Sequence, residues 1–315
     1  MTSPKAPKTP RTAYLVLGMH RSGTSAATQF LALAGADLPQ HVMPGDEHNQ
    51  KGYFEPWKIA LLNDQRLHAA GGAWDDIFGF PYNGLSPEAE AAWALRAQAI
   101  FDEEFGPARW PLLKDPRVTV LLPMWRRALT EMGLAARCVI PVRHPLAVAG
   151  SLARRNNFPV EKSLVLWSAY MLAAEAHTRD LPRAFVGYDA LLDDWRAQAA
   201  RIETAHGAPL PRLTKAAAKE IDVFLTPDLR HNDASEALRG KGWARELTAV
   251  VYDWFDAAAR DLAPDPAILT RAGAKLAKVK AEMGVFVSPV TRELDIARGE
   301  LLHAEALVDS ILTAR

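Results

Sequence analysis

Residues 15–30, LVLGMHRSGTSAATQF, decide the fold. A short apolar run leads to Gly18, Gly23 follows, and Thr24 and Ser25 then open a helical stretch with Gly35 in its C-cap position. This is the layout of a phosphate-binding loop. Its glycines let backbone N–H groups approach an anion closely, and the helix start adds further donors. In the nucleotide-hydrolase pattern G-x-x-x-x-G-K-[ST], a lysine follows the second glycine. Thr24 stands there instead, and the positive charge is at Arg21. Arginine presents a planar fork of donors that suits phosphate or sulfate oxygens. The missing lysine argues against ATP or GTP hydrolysis. Gly18, Ser22 and Gly23 are read as shaping the loop, Ser22 through its backbone N–H. Thr24 and Ser25 add hydroxyls, and His20 contributes backbone.

Outward from the loop, four apolar runs read as strands: AYLVLG (13–18), WPLLK (110–114), ARCVIPVR (136–143) and RAFVGY (183–188). Helical patterns separate them. The stretch from Ser86 starts with that serine as N-cap, Pro87 in the first turn and early glutamates, and it sets Trp93, Ala97, Ile100 and Phe101 on one face. Another long helix begins at Pro159. Alternating strands and helices predict an α/β fold: a P-loop-type parallel sheet flanked by helices over residues 13–245. Ligands of such sheets bind beyond the carboxyl ends of the strands. The loop, the KDPR turn (114–117), the RHP turn (143–145) and Tyr188 all follow strand ends, so they share one edge.

The chain has 315 residues, 49% hydrophobic and 23% charged, which suits one large globular domain with or without an appendage. Its formal net charge is zero, so no global nucleic-acid footprint exists. The one cysteine, Cys138, lies in the apolar run CVIPV and reads as a buried thiol. No run approaches the roughly 18 apolar residues of a membrane span. Residues 1–12, rich in Pro, Lys and Thr, read as a disordered tail without a signal-peptide core, and the expected compartment is the cytoplasm. From residue 246 to 315 a helical extension is expected. Within it Val290, Leu294, Ala297, Leu301, Ala304, Val308 and Ile311 alternate steps of four and three, an a/d heptad. The pattern fits a short coiled coil pairing two copies, and equally a helix lying on the main domain.

A second stretch, PVRHPLAVAGSLARR, sets Arg143 at a strand end and Ser151 eight residues later in the next helix. Together with GMHRSGTS it resembles the sulfotransferase family that uses 3′-phosphoadenosine 5′-phosphosulfate (PAPS). GMHRSGTS is similar to that family's 5′-phosphosulfate loop, in an Arg-Ser-Gly-Thr form. RHPLAVAGS is similar to its 3′-phosphate signature, LLKDPR to the Lys-Asp-Pro segment of protein-tyrosine sulfotransferases, and VGYDALLDDW to the Tyr-Glu-Asp-Leu segment after a late strand. The resemblance spans about residues 13–200, with the motifs in the family's order. It implies that Gly18, Arg21, Ser22, Gly23, Thr24 and Ser25 hold the 5′-phosphosulfate. It further implies that Arg143 and Ser151 hold the 3′-phosphate, that Tyr188 touches adenine, and that Arg21 and Lys114 supply charge for sulfuryl transfer. No metal is expected. Asp115 reads as a cap for the helix after KDPR. LRHN (229–232) and RGKG (239–242) fall where the family often closes a basic loop, although a plain solvated turn reads better.

Transfer to a hydroxyl needs a base. Members with arginine in the loop use a glutamate from the segment after the loop helix. Glu47, His48 and Glu55 of GDEHNQKGYFEPW (45–57) are the candidates. Glu55 is favoured: Gly52 allows a close turn, Tyr53 and Phe54 can shield the carboxylate and raise its pKa, and Pro56 restricts the backbone. The mixture of charges and aromatics there suits a saccharide acceptor over a tyrosine or a small alcohol. Two other classes stay open: a P-loop nucleotide kinase with a degenerate loop, in which Arg143 and Ser151 have no role, and a non-catalytic nucleotide-binding scaffold.

Overall fold

The computed structural model describes residues 11–45, 52–226, 229 and 238–313. Glu47, His48, residues 1–10 of the tail and residues 230–232 lie outside the described residues. In chain order the elements are β1 (Thr12–Val16), α1 (Thr24–Leu33), α2 (Trp57–Ala69), α3 (Pro87–Phe105), β2 (Leu112–Lys114), α4 (Pro116–Val120), α5 (Leu122–Glu131) and β3 (Ala135–Val142). There follow α6 (Pro145–Asn156), α7 (Val160–Thr178), β4 (Arg183–Gly187), α8 (Tyr188–Asp193), α9 (Trp195–His206), α10 (Lys215–Phe224), α11 (Trp243–Ala259) and α12 (Pro266–Thr313).

All four predicted strands form one parallel sheet in the order β2-β1-β3-β4. Val16 is level with Lys114 on one side and Val139 on the other, so the ends of these strands reach the same edge. The order reverses at β1, and the crevice beyond the carboxyl ends of β1 and β3 is the place where such sheets bind ligands. Strand periodicity divides the core into two layers. Ala13, Leu15 and Leu17 face one layer with Cys138 and Ile140, under α3, α5, α7 and α11. Tyr14 and Val16 face the other with Val139 and Val186, under α1, α8 and α9. Both faces of the sheet are covered, which is why the strands read as unbroken apolar runs.

The local signals act where the sequence sets them. Ser86 accepts from the Ala89 N–H and caps α3, whose Ala97 and Phe101 are buried. Gly35 follows α1 at φ +97°. Burial of Cys138 pushes its thiol up to about 12. Leu247, Val251 and Phe255 of α11 lie in the same core layer as β1 and β3. The 48-residue α12, about 72 Å long, enters that layer through Leu269, Ala272 and Leu276. Farther along, Asp295 accepts from Trp74 Nε1 at 2.9 Å, and Arg298 lies 3.7 Å from Asp75. The helix is therefore held on the domain as far as Arg298. The heptad positions Val290, Leu294, Leu301 and Val308 are exposed, so that stripe faces away from the domain.

Candidate active site

The loop after β1 is fixed before any ligand is considered. The Gly18 N–H donates to Thr119 Oγ1 of α4 at 2.8 Å, which ties the loop to the β2 end. Gly23 takes φ +87°, and a Cβ there would meet the Tyr188 ring at 2.2 Å. Only glycine fits both the left-handed backbone and that contact. Gly23 is also the N-cap of α1, and no side chain caps the helix, so the helix start presents backbone N–H groups at this edge. Arg21 itself stands at φ +68°, an uncommon conformation for a residue with a side chain. Such strain is held in place by surrounding contacts and concentrates at functional sites.

Those contacts join the two stretches read from the sequence as anion motifs. Arg21 Nε donates to Ser151 Oγ on α6 at 2.7 Å. Arg143, at the end of β3, donates through Nη1 to the Arg21 carbonyl at 3.0 Å. Its guanidinium lies 4.6 Å over the Tyr188 ring, and burial lowers its pKa, with Arg21 adding to the effect and Tyr188 opposing it. Tyr188 is buried, packs on Gly23 and donates its hydroxyl to the Leu229 carbonyl at 2.7 Å. Its ring thus supports the loop and Arg143.

A second group forms where β2 ends. Lys114 is buried, and Nζ donates to Glu55 Oε1 at 2.5 Å, to the Tyr53 carbonyl at 2.8 Å and to Ser25 Oγ at 3.3 Å. One ammonium thus joins β2, the start of α1 and the segment before α2. That segment is pinned by the Met43 N–H donating to the Glu55 carbonyl at 2.7 Å. Gly52 has φ +96° and Phe54 φ +58°, so the chain turns sharply just before Glu55. Phe54 packs back on Gly52. The Glu55 carboxylate is buried and accepts from the Lys114 ammonium, a partner not read from the sequence. Asp115 caps α4 as expected, accepting from the Arg117 N–H at 2.7 Å. Arg117 also donates from Nε to Asp64 at 2.5 Å.

Three features were not read from the sequence. The His20 imidazole is buried against Trp74, with ring centroids 4.7 Å apart, and Nε2 has no partner. Burial drives its pKa well below the ordinary value, and Arg155, Arg117, Lys114 and Arg21 add to this, so the ring stays neutral among four cations. Arg117 was visible only as the last residue of KDPR. Arg155 was visible at helical spacing from Ser151, since residues four apart on a helix share a face. Among the described residues no group of three or more His, Cys, Asp or Glu is arranged to hold a metal ion, and no helix is long and apolar enough to cross a membrane.

No protein-family model and no curated protein matches the chain. Among solved structures, the sulfotransferase domain of the Synechococcus PCC 7002 olefin synthase is 18% identical, with a TM-score of 0.44 over 80% of this chain and 98% of that one. The sulfotransferase domain from the curacin biosynthetic pathway is 14% identical, with a TM-score of 0.39 over 86% and 98%. At these values neither likeness assigns a residue, a donor or an acceptor.

Proposed function

We propose that the protein is a sulfotransferase that moves a sulfuryl group from PAPS to a hydroxyl of a saccharide acceptor. The observation that carries this reading is the junction of the two anion motifs: Arg21 Nε on Ser151 Oγ at 2.7 Å, and Arg143 Nη1 on the Arg21 carbonyl at 3.0 Å. A nucleotide with phosphate at both its 5′ and 3′ positions needs both motifs in one crevice. The residues fit such a ligand. Arg143 Nη2 and Ser22 Oγ are buried without a partner, and buried polar atoms of that kind call for one.

PAPS, when bound, supplies an activated sulfuryl group on a good leaving group. The α1 N-terminus with Gly18, Ser22, Gly23, Thr24 and Ser25 would hold the 5′ end beside Arg21. Arg143 and Ser151 would hold the 3′-phosphate, and Tyr188 would border the adenine end. Glu55 would take the acceptor proton at its carboxylate. Lys114 fixes that carboxylate in position and adds positive charge beside the transfer. Tyr53, Phe54 and the exposed Trp57 bracket Glu55 in the chain, and aromatic faces there suit a sugar ring. We further place the enzyme in the cytoplasm, paired with a second copy through the exposed stripe of α12.

The decisive experiment supplies labelled PAPS with a panel of glycans and metabolites and follows the label into product. Calorimetry with 3′,5′-bisphosphoadenosine and ADP runs beside it. Tighter binding of ADP would favour the kinase, and bisphosphate binding without transfer would favour the scaffold.

A further inference from the structure

We propose that two copies of the chain pair through α12 in antiparallel orientation, with Leu301 of one copy level with the partner's Ala304, an inference that rests on the α12 pairing above. The seam is exposed: Val290, Leu294, Ala297, Leu301, Ala304 and Val308 all face solvent. Another side of the same helix is taken by the domain, through Asp295 on Trp74 and His68 and through Arg298 on Asp75. In the heptad, Leu294, Leu301 and Val308 stand at a, and Val290, Ala297 and Ala304 at d. Arg298 and Glu305 then fall at e, and Glu293 and Glu300 at g.

Size and charge choose the orientation. A parallel seam sets each a or d residue against its own twin, so Ala297 and Ala304 would each meet alanine between layers of leucine and valine. It also brings each g residue against the e residue five further on, which sets Glu300 against the partner's Glu305. An antiparallel seam pairs a with d. Leu301 then meets the partner's Ala304, and Val308 the partner's Ala297, so each large side chain lies opposite a small one. On its flank e faces e, and Arg298 meets the partner's Glu305 twice, once from each copy. Sliding one helix by a heptad ends this. In one direction Arg298 meets the partner's Arg298, and in the other Glu305 meets the partner's Glu305. Charge therefore selects the register as well. The domains leave room for it. Each holds its own helix as far as Arg298, and the partner's Arg298 is level with Leu307. The two held segments thus end about 13 Å apart along the axis. The contact uses the same patch of both copies and closes on a two-fold axis.

The test is disulfide trapping in the full-length protein, with the buried Cys138 kept throughout. Ala297→Cys, Val308→Cys and the double variant are oxidised and run on non-reducing gels, with light scattering alongside. We expect the double variant to form covalent dimers and each single variant to stay unlinked. A lone cysteine would lie about 16 Å along the axis from its twin, beyond the reach of a disulfide. Single variants that link to themselves would mark a parallel seam and overturn the orientation while the pairing stands. A dimeric mass with no link in the double variant would place the contact elsewhere and overturn the proposal too. A monomeric mass would sink the pairing and this inference with it. Glu305→Arg, at an exposed residue, reads the same question by charge. It turns both e–e contacts into like charges, so sedimentation should show the dimer dissociating about 2- to 30-fold more readily, the range of two exposed ion pairs. In a parallel seam the same change relieves Glu300, and a tighter dimer would overturn the proposal.

Discussion

The Glu55–Lys114 pair is the part of the site most exposed to mutation, because both side chains are buried. Glu55→Gln should lower turnover by about 10²- to 10⁴-fold, the usual contribution of a general base, while bisphosphoadenosine affinity stays near that of the wild type. It also leaves a buried ammonium unpaired, which typically destabilises by about 3–5 kcal/mol. Adding Lys114→Met removes the unpaired charge, so the melting temperature should recover while turnover does not. Turnover above about a tenth of normal, well short of a base's contribution, would move the role to Glu47. Arg143 gives a sharper test of the donor. Arg143→Ala should weaken bisphosphoadenosine relative to AMP by about 1.5–3 kcal/mol, the range for a charged hydrogen bond. Some loss for AMP is expected as well, since Arg143 also holds the Arg21 carbonyl. Calorimetry on both nucleotides reads the difference, and equal losses would remove the 3′-phosphate from its partners.

At the scale of the element, α7 is a helix buried on nearly all sides, and its polar groups are satisfied within the protein. Ser168 and Thr178 donate to carbonyls one turn back, and Glu175 accepts from Arg179 and from Arg183 at the start of β4. Trp167 Nε1 is an exception, and so is His177, with Nε2 buried and without a partner. Burial pushes its imidazole down to about 4 from an ordinary 6.5, and Arg126 adds to the effect. Between those two pH values the unfolded chain binds a proton that the folded chain refuses. The stabilisation is thus complete above about pH 6.5 and is lost as pH falls toward about 4. The shift corresponds to roughly 3 kcal/mol. Burial also lowers His20 and His206, so the whole molecule loses stability in the same direction. Denaturant titrations at pH 7 and pH 4 should show His177→Gln losing roughly 3 kcal/mol less than the wild type over that interval. Identical losses would mean that His177 is already charged in the folded protein.

At the scale of the whole molecule, α12 has two parts with different partners. Up to Arg298 it is bound by apolar burial and by Asp295, which faces both Trp74 and His68. The positions beyond that point that complete the heptad, Leu301 and Val308, are exposed. Deleting residues 299–315 should therefore halve the mass in light scattering while leaving the melting temperature and nucleotide affinity unchanged. Deleting 288–315 should also lower the melting temperature, because the bonds that Asp295 receives go with it. An unchanged mass after the shorter deletion would rule out pairing through the end of this helix.

By itself the sequence determined the sheet, the caps and the spacing of the two candidate anion motifs. Parallel strands buried on both faces must be apolar throughout, so the four runs could be read directly. Ser86 and Asp115 cap their own helices within a few residues, and Arg143 and Ser151 lie close enough in the chain for their spacing to be seen. The tertiary structure alone decided which of these groups meet. Arg21 reaches Ser151 across 130 residues, and Glu55 reaches Lys114 across 59. It gave the Glu55 carboxylate the Lys114 ammonium as a partner, and it set Arg155 over the Trp74 ring. It also turned the heptad stripe of α12 outward and set Asp295 and Arg298 against the domain. Periodicity tells which residues share a face of a helix. Which face is buried depends on what the rest of the chain brings against it, and that is fixed only when the long-range contacts form.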